Sequence, residues 1–413
     1  VIRNRTAILV LLTGLNFLNY IDRTVLFAVL KDIQDDVGLS KFQGGLLATA
    51  FLVGYFLTAP FFGSRADKGA RKGLIAGGVA VWSLATAATG LATSFPALLA
   101  ARALVGVGEA AYATLAPTII DDITPPEKKN RALAIFYLAI PLGSAIGFAL
   151  GGTMAHHLGW HAAFFIAGGP GLAIALTCLM IVEPARKLAP AKAKIRESLG
   201  TLMRIPLYRR ALLGYTAYTW ALGGFQAFAP QFLLERYPGT MNEQSAGFYF
   251  GGVLVVAGLL GTVIGGWWAD ASLRKLPSMP VDAPHDARPN RLASNALLRV
   301  CAIGMVVATP IGIAVFLAPN APMFFAFAFV CAIGLFLSTS PVNAVALRAV
   351  PTELRASAMA AIIFAIHLGG DLWSPPALGL LQDNLPIVVA MMALPLAFAL
   401  AAYLWWPRAK EAQ

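Results

Sequence analysis

The chain has 413 residues, of which 58% are hydrophobic and 12% charged, and its formal net charge is +11. Soluble domains are roughly 45–50% apolar and about 25% charged, so this composition, with a mean hydropathy of +0.71, excludes an ordinary water-soluble protein. The positive charge invites a nucleic-acid partner, but its distribution along the chain argues for membrane topology instead.

A helix needs about 20 apolar residues, at about 1.5 Å each, to cross a hydrocarbon core of roughly 30 Å. Twelve such stretches are expected in chain order: Thr6–Leu30, Phe42–Ser64, Gly73–Thr93, Ala97–Asp121, Arg131–His156, Trp160–Val182, Ala211–Leu234, Gln244–Trp268, Leu297–Leu317, Met323–Val345, Ala356–Leu381 and Pro386–Trp406. The first apolar run is long enough to span and lacks a signal-peptide pattern, so it is expected to remain in place. Assigning the loops alternately to two sides leaves Lys31, Lys41 and Arg236 on one side, Arg23 and Arg102 inside helices, and the other 26 of the 31 Lys/Arg together. By the positive-inside rule that basic side is cytoplasmic and holds both termini. The expected fold is an all-α membrane protein of twelve transmembrane helices in two pseudo-symmetric six-helix bundles.

The first helix carries Asn19, Asp22 and Arg23 in an apolar setting, and the fourth carries Arg102 and Glu109. A central Asp, Arg or Lys costs about 2.5–3.5 kcal/mol to insert, so these charges need partners and a polar cavity. Arg102 and Glu109 lie seven residues apart, on one helix face within about 20° but separated by about 10.5 Å along the axis. Each is therefore expected to face an opposite charge on another helix, and Asp22 and Arg23 are the candidates. A carboxylate held between an arginine and the membrane interior is a candidate proton site, with Asp22 first and Glu109 second. Arg23 and Arg102 suit a phosphate or carboxylate, for which a guanidinium fork is fitted. The competing reading is a purely structural ion-pair network.

Between the second and third stretches lie Gly63, Asp67, Arg71 and Lys72, and the same spacing returns as Gly266, Asp270, Arg274 and Lys275. A duplicated polar motif marks two homologous halves. In each copy the aspartate is expected to accept hydrogen bonds from a neighbouring helix N-terminus while the basic pair stays in the aqueous headgroup layer. A second repeat matches Pro125, Glu127, Ala139-Ile140 and Leu142-Gly143 with Pro351, Glu353, Ala365-Ile366 and Leu368-Gly369. The offsets of the two repeats differ by about the extra length of a proline-rich connection, Ala269–Ala296, which reads as irregular. The halves are expected at residues 1–183 and 211–413, joined by a basic cytoplasmic linker at 184–210.

The remaining signals are weaker. His156, His157 and His161 are interrupted by Gly159-Trp160 and make a poor metal site; Cys178, Cys301 and Cys331 have neither ligand spacing nor an obvious pairing. His367 and Asp371 share one face of the eleventh helix, as a second proton relay or a structural pair, and Pro375-Pro376 just beyond is expected to break that helix. The seventh helix offers Tyr215, Tyr218, Trp220, Phe225, Gln226 and Phe228 without an interior charge. A cavity charged on one wall and aromatic on the other suits an amphiphile.

The loop motif Gly63, Asp67, Lys68, Arg71 and Lys72, and the fourth-helix Arg102, Gly106 and Gly108, resemble the signatures of the major facilitator transporters. Gly143, Gly147, Gly151 and Gly152 resemble their fifth-helix glycine ladder, although Phe148 replaces its customary proline, which weakens an antiporter assignment. Asn19-Tyr20-Ile21-Asp22-Arg23, the run Arg102 through Glu109 and Tyr112 to Pro117, and His367 through Asp371 to Pro375 resemble the Spinster lipid transporters. That resemblance implies the major facilitator fold and proton-linked movement of lysophospholipids or sphingolipid phosphates. From the distribution of charged and aromatic residues, the expected substrate-binding residues are Asn19, Arg23, Arg102 and Tyr112 toward the head group and Tyr215, Trp220 and Gln226 toward the tail. The expected partners are the bilayer, an amphipathic substrate and protons, with no nucleic acid, metal or cofactor; the proton gradient supplies the energy and the chain acts as a monomer. In a bacterium the location would be the inner membrane. A carrier of small organic anions or drugs is the alternative. An intramembrane enzyme is more remote, since no Ser/His/Asp or metal constellation is evident.

Overall fold

The computed structural model describes residues 2–66, 71–125, 128–182, 195–276 and 287–408. Among them there is no β-strand, only the isolated bridges Ile2 to Ile181 and Pro238 to Met241. The helices run α1 (Arg5–Ala28), α2 (Leu30–Val37), α3 (Lys41–Ala66), α4 (Arg71–Thr89), α5 (Phe95–Ile123), α6 (Lys129–Leu158) and α7 (Trp160–Leu179). They continue as α8 (Ile195–Arg204), α9 (Pro206–Arg236), α10 (Glu243–Arg274), α11 (Arg288–Leu317), α12 (Ala321–Phe336), α13 (Thr339–Arg348), α14 (Arg355–Ile366), α15 (Ser374–Asn384), α16 (Ile387–Met391) and α17 (Ala393–Trp405). By length and composition, nine stretches of the described residues can cross a membrane. Three further long helices, α1, α4 and α9, fall outside those nine; α1 carries Asn16, Asn19, Asp22 and Arg23 within an otherwise apolar sequence.

Local chemistry sets the breaks. Asn4 caps α1 by accepting from the backbone N–H groups of Thr6 and Ala7, and Asn320 caps α12 through Met323 N, as short polar side chains do at orphan helix donors. Gly159, at φ +82°, turns α6 into α7, a backbone conformation that disfavours any residue with a Cβ. Two expectations change. The connection read as irregular over Ala269–Ala296 is helical at both ends, since α10 runs to Arg274 and α11 starts at Arg288. Pro289 sits in the first turn of α11, where the missing N–H costs nothing. In the basic linker, 195–204 forms α8, and Arg210 is buried, with Nε donating to Leu404 O at 3.1 Å at the end of α17. A cation there satisfies carbonyls that the helix terminus leaves open.

The described residues fall into two compact units. One comprises Val1–Ala189 with Ala227–Gly252 and Pro375–Asp383, and the other comprises Pro190–Gln226, Val253–Ser374 and Asn384–Gln413. The first unit thus recruits two segments from late in the sequence. The joins are backbone to backbone: a Cβ added at Gly152 would lie 2.1 Å from Glu243 O, and one at Gly379 would lie 2.2 Å from Lys41 O. Asp383 accepts from the N–H groups of Lys41 and Phe42 at 2.8 and 2.9 Å, compensating the orphan donors at the start of α3, and Lys41 pairs with Glu235 at 2.7 Å.

A polar cluster surrounds α2 in this unit. Trp160 Nε1 donates to Asp36 at 3.1 Å, and His156 Nδ1 lies 3.3 Å from Glu243 Oε2. His156 and His161 thus lie near carboxylates of other helices, at 3.3 and 3.9 Å, although no three potential metal ligands converge among the described residues. Burial, with Glu243 adding like charge, pushes Asp32 from its ordinary 3.8 up to about 6.

The apolar core of the first unit includes Leu12, Val79, Trp82, Val105, Tyr112, Leu115 and Phe136. Glycines let its helix backbones touch. A Cβ on Gly106 of α5 would stand 2.0 Å from Phe51 O of α3, and one on Gly54 of α3 would stand 2.1 Å from Ala103 O. Gly106→Ala is therefore expected to lower stability by about 1–3 kcal/mol through overpacking, read as a lower thermal unfolding temperature of the purified protein. Gly77→Ala, whose Cβ meets nothing within 4 Å inside α4, is the control and should not lower it, the better helix propensity of alanine raising it if anything.

Asp32 generates a second prediction. Its folded-state pKa is raised, so the ionised side chain costs stability above about 6, and that cost disappears as pH falls below the ordinary 3.8. Asp32→Asn should then stabilise the protein above about pH 7, by about 1 kcal/mol once solvent screening is allowed for, and have no effect below about pH 3. Unfolding temperatures measured at both ends of that range check it.

Candidate functional site

Residues 22 and 23 of α1 and residues 102 and 109 of α5 meet as two ion pairs. Arg23 Nε lies 2.7 Å from Glu109 Oε2, and the Arg102 guanidinium lies 3.6 Å from Asp22 Oδ1. Both pairs run between helices, as the spacing of Arg102 and Glu109 required. Asp22, Arg102 and Glu109 are each at most 1% exposed, whereas the Arg23 side chain retains 23% of its exposure. The four charges sum to zero when both acids are ionised. Arg23 is the most exposed of the four.

The two pairs differ in quality. Arg23 and Glu109 form a close, charge-assisted hydrogen bond, with the Asn19 amide beside Glu109. Asp22 instead accepts from the Thr86 hydroxyl of α4 at 2.5 Å through Oδ2. Its Oδ1, the Arg102 Nε and the Glu109 Oε1 are buried without a hydrogen-bond partner among the described residues. Unsatisfied charged atoms in a dry interior are costly, and they are where an added proton or anion gains most.

Aromatic faces complete the setting. The Arg23 guanidinium lies 4.7 Å from the Phe51 ring centroid, 5.0 Å from Tyr20 and 5.7 Å from Tyr55, and Arg102 lies 5.7 Å from the same Phe51 ring. Cation–π attraction at these distances helps hold both cations. Neither Phe51 nor Thr86 carried a signal in the sequence, because a phenylalanine and a threonine within apolar helices are indistinguishable from packing residues.

Packing fixes the register of this cluster. Asn16 Nδ2 donates to Phe136 O at 2.9 Å, tying α1 to α6. Tyr112 is fully buried, with its hydroxyl donating to Leu12 O and its ring edge-on to Trp82 at 5.5 Å. This is a correction: Tyr112, expected at a substrate, is a core residue whose polar atom is already engaged.

In the second unit, His367 Nδ1 lies 2.9 Å from Asp371 Oδ2. The five residues His367–Asp371 form a π-helical turn, closed by Leu372 N donating to His367 O at 3.0 Å. The break in this span therefore precedes Pro375-Pro376, which lie in the first turn of α15, where proline is tolerated. Gly223 makes room for the turn, since a Cβ there would meet Asp371 Cβ at 2.6 Å. On α9, Tyr218 is buried between Tyr215 at 5.8 Å and Trp405 at 6.2 Å, while Tyr215, Trp220 and Gln226 are partly exposed.

The repeated motif is mostly helical. Asp67 and Lys68 lie outside the described residues. Gly63 belongs to α3, Arg71 and Lys72 open α4, and Gly266, Asp270 and Arg274 lie on α10. Arg71 overturns the expectation of an aqueous side chain, being 2% exposed, paired with Asp122 at 2.7 Å and hydrogen-bonded to Thr118 at 3.0 Å. Its second-half counterpart Arg274 is exposed, as are Asp270 and Lys275.

Residues 12–374 match the family model of the Major Facilitator Superfamily. The chain is 33% identical over 407 residues to human protein spinster homolog 1, covering 92% of this chain and 74% of that protein. It is 32% identical over 372 residues to the probable sphingolipid transporter spinster homolog 2 of Arabidopsis thaliana, covering 85% and 72%. Among solved structures, a bacterial homologue of the human lysosomal transporter Spinster, inward-facing and occupied, superposes with a TM-score of 0.84 at 23% identity, covering 98% of this chain and 97% of that one. The nucleoside transporter NupG superposes with a TM-score of 0.77 at 11% identity, a likeness of fold.

Proposed function

The chain belongs to the Major Facilitator Superfamily and, within it, to the Spinster family, and from that premise we propose that this multi-pass membrane transporter is a proton-coupled carrier of an amphipathic lipid with an anionic or zwitterionic head group. Twelve crossings, made by adding α1, α4 and α9 to the nine apolar stretches, then place both termini on the cytoplasmic side. The sequence repeats make the two halves pseudo-symmetric, and transport proceeds by alternating access. The polar joins of Lys41 with Glu235 and Asp383 open and re-form in that cycle.

The observation that carries this reading is the pair of buried ion pairs, neutral as a group, with one guanidinium partly exposed. Protonating Asp22, or secondarily Glu109, leaves the group with a net positive charge. That charge favours an anionic head group at Arg23 and Arg102, with Asn19 beside them. Conversely, a bound anion favours the protonated carboxylate, so proton and substrate assist each other through one electrostatic balance. The His367–Asp371 pair supplies a second proton site in the other unit. Tyr215, Trp220 and Gln226 receive the apolar part of the substrate. The Arabidopsis relative, a probable sphingolipid transporter, supports lysophospholipids and sphingosine phosphates as the class. The same guanidinium fork also fits a small organic anion, which is the second reading.

Two measurements test the proposal in proteoliposomes. Asp22→Asn should remove the response of uptake to an imposed pH gradient, bringing gradient-driven uptake down to the level seen without a gradient while the unfolding transition persists. Retained coupling would transfer the role to Glu109, and retention in both Asp22→Asn and Glu109→Gln would refute proton coupling at this cluster. Uptake of lysophospholipids of graded acyl length should rise with chain length; tail-independent uptake would favour the small anion.

A further inference from the structure

The second unit contains a crevice of about 460 Å³ between the end of α10 and the first half of α11, apart from the residues proposed above for proton and substrate. Its polar lining is Ser272, Lys275, Asn295 and Arg299, and its apolar lining includes Trp268 and Ile303. No acidic residue lines it among the described residues. Lys275 and Arg299 are exposed, while Asn295 is buried. We propose that this crevice binds the phosphodiester head group of an anionic membrane phospholipid as a structural or regulatory lipid, distinct from transported substrate.

Three features select that ligand. Two cations with two neutral hydrogen-bonding side chains, and no carboxylate among the described lining residues, fit a phosphate oxyanion. The crevice, about 460 Å³, has room for more than a bare phosphate, and its apolar wall of Trp268 and Ile303 suits the glycerol and chain beyond a phosphodiester. The position is interfacial. Trp267, next to Trp268, is 67% exposed on a helix that crosses the membrane, and tryptophan marks the headgroup level. Basic crevices between transmembrane helices at that level recognise anionic head groups. The crevice also gives a use to Lys275, the last residue of the second repeat, whose basic pair is exposed where Arg71 of the first is buried.

The test is native mass spectrometry of the full chain with phosphatidylglycerol, phosphatidylcholine or inorganic phosphate. The wild-type protein should retain phosphatidylglycerol in preference to phosphatidylcholine. Lys275→Gln with Arg299→Gln should reduce retention about tenfold, whereas Arg204→Gln with Arg209→Gln, two other exposed cations of the same unit, should not. Equal losses in the two double variants would show diffuse attraction and overturn the proposal. Phosphate displacing the lipid at comparable concentration would also overturn it, by making the crevice a simple anion site. Photoactivatable phosphatidylglycerol on the wild-type chain, independent of any variant's folding, should label peptides of α10 and α11, and labelling confined to other helices would refute it.

Discussion

Two ion pairs between α1 and α5 govern the first unit. Leaving a buried charge without its partner costs about 3–5 kcal/mol, and four such charges in two helices make separation of those helices prohibitive. The pairs therefore act as a registry device as much as a source of stability. Their geometry propagates outward. The helix that carries Arg102 and Glu109 lies flush on α3 at Gly54 and Gly106, and Asp22 is steadied from α4 by Thr86. A change in charge at the cluster is thus felt by four helices at once, the kind of coupling that a carrier needs between occupancy and conformation.

The duplicated motif shows how one pattern can serve two settings. In the first copy Arg71 is buried against Asp122 and Thr118, binding the start of α4 to the end of α5. In the second, α10 extends through Asp270 to Arg274 and the basic pair faces outward. Gly63 and Gly266 do not explain the repeat by close packing here, since a Cβ at either meets nothing closer than 3.8 Å. The π-helical turn at His367–Asp371 is another local departure, and such turns concentrate at functional positions. It presents a histidine and a carboxylate side by side where a regular helix would bring its next turn.

What the sequence revealed follows from the range of the forces involved. Apolar runs and out-of-place charges are visible in one dimension, so the helical membrane fold and the pairing of Asp22 and Arg23 with Arg102 and Glu109 were both legible. Thr86, Phe51 and Asp122 were not, because their roles exist only once a third helix arrives. Tyr112 misled because its place in a polar-looking run concealed an inward ring and a hydroxyl already donated to Leu12. Arg71 misled for the converse reason: its loop context spoke for water, and its partners lay on α5. The helical extensions beyond Trp268 and before Leu297 were hidden because polar residues give no apolar period outside the bilayer.

The central claim is that carboxylates held by arginines inside the first unit exchange protons with water. Infrared difference spectroscopy of the protein in lipid, titrated across the neutral range, tests it directly. The account predicts a protonated-carboxyl band that appears as pH falls and is lost in Asp22→Asn or, if the second site dominates, in Glu109→Gln. A spectrum with no titrating carboxyl band attributable to either residue would contradict it.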